Sequence, residues 1–200
     1  MDNLTNSIDQ VVEENDLPHE WSKEVLAELK DLEVKNNERD DLRKIPFVTI
    51  DGKDAKDFDD AVFCEANEVG FVLQVAIADV AEIVEPSSSI DKEALLRGTS
   101  IYFPKRVIPM LPEEISNNLC SLIPNEDRNV LVCIMNFSKE GEINSYDFSE
   151  AVINSHKRFT YNEVEFIKQK KDSDLCTDIL HSINALEMLT TKLLHNRSKR

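Results

Sequence analysis

The stretch FVTIDGKDAKDFDDAVFC, residues 47–64, sets two apolar runs around a turn that carries Asp51, Asp54, Asp57, Asp59 and Asp60. Like charges this crowded repel: two carboxylates about 4 Å apart cost roughly 4 kcal/mol at an effective dielectric near 20. Either the turn is solvated or a cation holds it together. The runs FVTI and AVFC lie directly on either side and draw the turn towards a core, which favours a cation. Strand alternation gives Asp51, Asp57 and Asp59 one parity and Asp60 the other, so a plain strand cannot aim all four at one point. Residues 52–56, GKDAK, relieve this by allowing a tight turn. An EF-hand does not fit: counting from Asp51, Asp54 or Asp57 puts Lys or Ala at a ligand position and never Gly at the sixth. An all-oxygen set with few protein ligands suits Mg2+, with Mn2+ as an alternative, and such clusters serve in-line phosphoryl transfer.

Outward from this turn the period-two pattern continues. Residues 47–50, 61–64, 70–78, 128–136 and 143–155 read as strands rich in Val, Ile and Phe. Residues 87–100, SSSIDKEALLRGTS, read as a short helix with a serine cap and Gly98 at its end. Thr160-x-x-Glu163 is a capping-box pattern opening a helix over 161–169. A final helix of more than twenty residues aligns Leu175, Ile179, Ile183, Leu186 and Leu193 on one face. Pro109, Pro112 and Pro124 bracket a further short helix from about Glu113, with Leu111, Ile115, Leu119 and Leu122 inward. The expected fold class is α+β, a mixed and mostly antiparallel sheet with packed helices. Residues 1–44 are polar and charge-dense, and read as a linker with one short helix around Trp21, Val25 and Leu29.

At 200 residues the chain is long enough for a sizeable core, and its net charge of −16 excludes a surface that grips phosphate all over. Any nucleic-acid role must be local or metal-mediated. Cys64, Cys120, Cys133 and Cys176 are too far apart in sequence for a zinc or disulfide framework and imply a reducing compartment. No leader-like or membrane-spanning run occurs, so the expectation is a cytoplasmic chain with no membrane partner.

The blocks TIDGKDAKDFDDAV, IADVAEIV, GTSIYFP, IPMLPEEISNNLCSL and RNVLVCIM, in this order, resemble the catalytic domain of the ribonuclease II and ribonuclease R family, the ribonuclease R branch being the nearer. The likeness runs over roughly residues 15–200. It implies a magnesium-dependent 3′-to-5′ exoribonuclease that hydrolyses single-stranded RNA from its 3′ end to nucleoside 5′-monophosphates. On this resemblance Asp51, Asp57, Asp59 and Asp60 hold the metal, and Asp57 and Asp59 take the catalytic part with Tyr161. Asp54 falls outside that set. Tyr102 and Tyr161 match aromatics that grip the RNA end, and stacking suits an enzyme indifferent to sequence because every base has a π-face. Spacing alone reads each as a core tyrosine. Lys105 and Arg106 follow Tyr102 as a basic pair, either beside the RNA or simply solvated. Asn117, Asn118 and Ser121 read as scaffold that lies near the catalytic cavity in the family.

The resemblance also implies a longer protein. Residues 45–200 correspond to the N-terminal part of the catalytic domain, with its C-terminal part and the flanking OB-fold domains absent, so the chain alone is expected to be weakly active or inactive. The alternative is a non-catalytic remnant or degenerate paralogue that binds RNA or a protein partner.

Overall fold

Apolar alternation from Phe47 onward dictates a sheet, and the computed structural model, which describes every residue except 1, 2, 33, 35–37, 105, 171–174 and 200, contains one. Among the described residues the strands are β1 (Asp40–Asp41), β2 (Val48–Asp51), β3 (Asp60–Ala66), β4 (Gly70–Ala78), β5 (Ile101–Phe103), β6 (Arg106–Ile108), β7 (Asp127–Ser138), β8 (Ile143–Asn154) and β9 (Lys157–Thr160). The helices are α1 (Asn3–Glu14), α2 (Lys23–Glu28), α3 (Val80–Ile83), α4 (Ser89–Arg97), α5 (Tyr161–Lys170) and α6 (Thr177–Ser198). None is long and apolar enough to cross a membrane. The chain divides into two compact units, Met1–Lys35 with Val80–Ser116, and Asn36–Asp79 with Asn117–Arg200.

The second unit holds a seven-stranded sheet in the order β1-β8-β7-β4-β3-β2-β9. Its central pairs are antiparallel; β9 runs parallel to β2 and β1 parallel to β8. This is the α+β, mixed and mostly antiparallel sheet that the sequence predicts, and all five expected strands are present with ends moved by a few residues at most. Gly70 is demanded by packing, since a Cβ there would lie 2.0 Å from the Phe137 carbonyl oxygen of the neighbouring strand.

Helices α5 and α6 cover one face. Ile167, Ile179 and Ile183 bury against Val48 and Phe159, while Ala185 and Leu189 bury against Cys64, Phe71 and Phe137. Each large aliphatic side chain so buried contributes about 1.5–3 kcal/mol. The helical face differs from the sequence reading at its end: Leu193 is exposed and Leu189 takes the buried place. The β2–β3 register consists of the Val48–Val62 pair, and beyond it the Cys64 amide donates to the buried Ser182 Oγ at 2.9 Å. A polar residue in a helix face thus replaces a missing ladder bond.

In the first unit the linker reading meets a fold element it did not foresee. Ile8 and Val12 of α1 are buried with Ile108, beside Leu17, Ile101 and Phe103. Arg97, whose side chain is 2% exposed, donates to the Glu20 and Pro109 carbonyls and to Glu93, and its guanidinium lies 3.5 Å from the Trp21 ring centroid. Helix α4 starts and stops as expected: Ser88 Oγ accepts from the Asp91 amide, and Gly98 ends the helix at φ +72°. The proline-bracketed segment forms a π-helical turn over Ile115–Leu119, with Ile115 and Leu122 fully buried.

Candidate active site

The acidic stretch is not a strand. Residues 52–59 form a loop between β2 and β3, so the parity restriction does not operate. What shapes the loop is a set of neutral anchors. Phe58 is buried in the middle of DFDD, and its amide donates to the fully buried Ser121 Oγ at 3.1 Å while its carbonyl accepts from the Leu122 amide at 2.8 Å. The Ser121 hydroxyl donates in turn to the Lys56 carbonyl at 2.9 Å. Asp59 O accepts from the Ala78 amide at 2.9 Å, starting β3 against β4. On the other side of the turn Arg158 Nη2 donates to the carbonyls of Gly52 and Lys53, 2.8 Å each, with its guanidinium carbon 5.0 Å from the Phe58 ring centroid.

Ser121 therefore acts on the loop backbone. It is scaffold, as its block reads from sequence, but scaffold for this loop in particular. Asn118 likewise presents its carbonyl to Arg128 Nη2 at 3.1 Å.

The carboxylates gather at one end of the sheet. Asp51 closes β2 and Asp60 opens the antiparallel β3, so both lie where the loop leaves the sheet. Asp51 and Asp57 are half-buried; Asp59, Asp60 and Asp54 are exposed. Burial pushes the Asp51 carboxyl above the ordinary carboxylate range, and the charges of Asp60 and Asp57 push the same way while Arg158 opposes them. Asp59 is also raised, first by lost hydration and then by Asp57, Asp60 and Asp51. Asp59 is exposed as a residue, yet its carboxyl stands among enough protein atoms to feel this. The four predicted aspartates thus share one electrostatic neighbourhood, and Asp54 contributes to neither shift.

Does the set fit a divalent ion? Asp51 Oδ2 is buried with no hydrogen-bond partner, and every donor is a hard carboxylate oxygen, the chemistry Mg2+ or Mn2+ takes. The four do not converge into a ligating group here: among the described residues no three His, Cys, Asp or Glu are placed to hold a metal ion. The donor chemistry fits, although the side chains do not converge.

Tyr161 stands next to this end of the sheet. The parallel register sets Asp51 opposite Thr160, and Tyr161 follows as the first residue of α5. The capping box forms as read: the Glu163 amide donates to Thr160 Oγ1, and Glu163 Oε2 accepts from the Thr160 amide. Tyr161 is 65% exposed, so its reading as a core tyrosine is overturned. The same holds for Tyr102, 70% exposed on the β5–β6 hairpin of the first unit, opposite Val107. Of the basic pair, Arg106 is ion-paired with Asp9 at 2.5 Å, and Lys105 lies outside the described residues. Sequence reading missed Arg158 and the anchoring part of Phe58. Arg158 sits in the polar run HKRFT, where nothing in the local pattern marks it, whereas the lone apolar residue inside DFDD was a visible signal.

An RNB domain family model matches residues 39–200. The chain is 54% identical over 156 residues to ribonuclease R of Acidithiobacillus ferrooxidans, covering 76% of this chain and 36% of that protein. It is 46% identical over 189 residues to ribonuclease R of Escherichia coli, covering 92% of this chain and 23% of that protein. The structure is similar to Mycoplasma genitalium RNase R in complex with double-stranded RNA, with a TM-score of 0.93 and 35% identity over 99% of this chain and 36% of that one. The chain thus spans about a third or less of the length of these relatives.

Proposed function

The chain belongs to the RNB-domain family, and from that premise we propose that it forms the metal-binding and RNA-end-gripping part of a 3′-to-5′ exoribonuclease that releases nucleoside 5′-monophosphates from single-stranded RNA. The observation that carries the proposal is the end of the sheet where four mutually repelling aspartates, one with an orphaned buried oxygen, adjoin an exposed tyrosine. Asp51, Asp57, Asp59 and Asp60 would hold Mg2+ or Mn2+. Such an ion supplies a water of lowered pKa and charge stabilisation at the scissile phosphate.

The remaining work belongs to the chain's own groups. By the family resemblance Tyr161 would help position the RNA end for cleavage, and Tyr102 would offer the face on which the terminal base stacks whatever its identity. The buried Phe58 and the bonds of Ser121 and Arg158 keep the loop backbone fixed, so little reorganisation is needed when charge develops. The net charge of −16 repels RNA at long range, and partners for the phosphates would come from the ion and from the parts of the relatives that lie outside the span this chain matches.

The test places residues 39–200 in the corresponding segment of Escherichia coli ribonuclease R and follows the release of mononucleotides from single-stranded RNA. Activity that disappears with Asp59→Asn while RNA binding survives supports the proposal. A folded chimera that binds RNA without hydrolysing it overturns the proposal in favour of the non-catalytic reading.

A further inference from the structure

We infer that Arg158 is a positioning residue of the candidate metal site: it fixes the turn between Asp51 and Asp57 through two successive backbone carbonyls. The inference rests on the metal-binding reading of the aspartates. The charge of Arg158 is felt at Asp51, where it opposes those of Asp60 and Asp57. Yet its Nη2 hydrogens go to Gly52 O and Lys53 O, and no ion pair forms with any of the four aspartates among the described residues. An arginine recruited to neutralise the cluster would form the charge-assisted bond to a carboxylate, which is shorter and stronger than one to a carbonyl. Here the fork is spent on the backbone and the carboxylates are left free.

Two features hold the clamp in place, and a third shows what its geometry costs. Arg158 lies on β9, in parallel register opposite Thr49, so its backbone is tied to the strand that delivers Asp51. Its planar guanidinium lies over the ring of the buried Phe58, the anchor at the far end of the same loop. Its Nε is buried without a partner, a desolvation cost tolerated in a geometry set by the other contacts. Two residues on, Thr160 caps the helix that displays Tyr161, so one short strand registers the turn and the tyrosine to each other.

The sign of the effect separates positioning from charge. Removing a cation beside a cation site, by Coulomb's law alone, tightens metal binding. Losing a group that orients the ligands weakens it, typically by about 10–100-fold. Mn2+ binding to the 200-residue chain is measured by the loss of the free-ion electron paramagnetic resonance signal, for the wild type, Arg158→Gln, Arg158→Lys and the control Arg43→Gln, whose arginine pairs with the exposed Asp41 and Asp127. Expected is about tenfold or greater weakening in Arg158→Gln, intermediate affinity in Arg158→Lys and no change in the control. Equal or tighter binding by a folded Arg158→Gln overturns the inference. If circular dichroism shows that this variant does not fold, Arg158→Lys decides: weaker binding supports the clamp, and wild-type binding at retained charge overturns it. Failure of the wild type to bind Mn2+ overturns the metal reading and this inference together, whereas binding that ignores Arg158 overturns only the latter.

Discussion

Ser121→Ala isolates one anchor of the acidic loop. The hydroxyl is fully buried, accepts from the Phe58 amide and donates to the Lys56 carbonyl. Its deletion removes a single oxygen, so no cavity of consequence opens and the cost is one of unmade hydrogen bonds. Phe58 is buried, so its amide has no water to turn to, and an orphaned donor costs about 1–3 kcal/mol. Lys56 is exposed, and its carbonyl can find solvent, adding little. The expected loss is therefore about 2 kcal/mol, which for a chain of this length lowers Tm by roughly 4–8 °C. Urea denaturation followed by circular dichroism should move the midpoint without changing the slope. Hydrogen exchange should report faster exchange at the Phe58 amide in particular. Ser145→Ala, which removes an exposed partner of Asn136, is the matched control and should stay within about 0.5 kcal/mol. A Ser121→Ala loss below about 0.5 kcal/mol, with Phe58 still protected, refutes the anchoring reasoning.

Asp59→Asn should leave the metal-free chain as stable as the wild type or more so, because the raised pKa means that the fold disfavours the charged form; it should also abolish any Mn2+-induced rise in Tm, and a fall in metal-free Tm counts against the repulsion described. Asp51 and Asp59 have folded pKa values above the reference 3.8, so their protonation favours the fold fully below that pH, and the benefit is lost as pH rises through the raised values. Metal binding needs the deprotonated forms, so the Tm difference with and without Mn2+ should open as pH rises through the same window; a difference constant from about pH 4 to 7 contradicts this. Arg97→Ala should destabilise the first unit by about 3–5 kcal/mol, because it leaves Glu93 unpaired and bares Trp21. Trp21 is the chain's single tryptophan, so its fluorescence during denaturation reads this directly, and a loss under about 1 kcal/mol refutes it.

Long elements were legible because they repeat a local rule many times. β4, β7 and β8 run for 9, 12 and 12 residues of alternating pattern and needed no tertiary information. The helix caps at Ser88, Gly98 and Thr160 were legible for a related reason, since each cap is satisfied by residues within four positions. β9 was not, because Lys157-Arg158-Phe159-Thr160 offers one apolar residue, and its strand character comes from β2 alongside it. Helix α1 was lost for the opposite reason: among the residues whose burial is described, its buried ones, Ile8 and Val12, are few among polar neighbours, and their partner Ile108 is distant in sequence. The site divides along the same line. The four aspartates were visible as a local density of charge, while Ser121 and Arg158 act across 63 to 106 residues of sequence and carry no local mark.

The distribution of hydrogen bonds around the loop bears on its two initial readings. A solvated acidic turn needs no internal support, because water serves its backbone and its charges alike. This loop has a buried phenylalanine near its C-terminal end and side-chain bonds from Ser121 there and from Arg158 at its start. A structural ion-pair network would show the opposite economy, with carboxylates matched to guanidinium groups as Asp79 is to the buried Arg39 or Glu93 to Arg97. Among the described residues no ion pair or side-chain hydrogen bond engages Asp51, Asp57, Asp59 or Asp60. The backbone is fastened by neutral and backbone-directed contacts while the charges are left unmatched and raised in pKa. Unpartnered carboxylates of raised pKa are a cost to the fold that protonation relieves at low pH and that, under the proposed reading, a bound cation would relieve at neutral pH, so the repulsion among them is the same quantity that would favour metal binding.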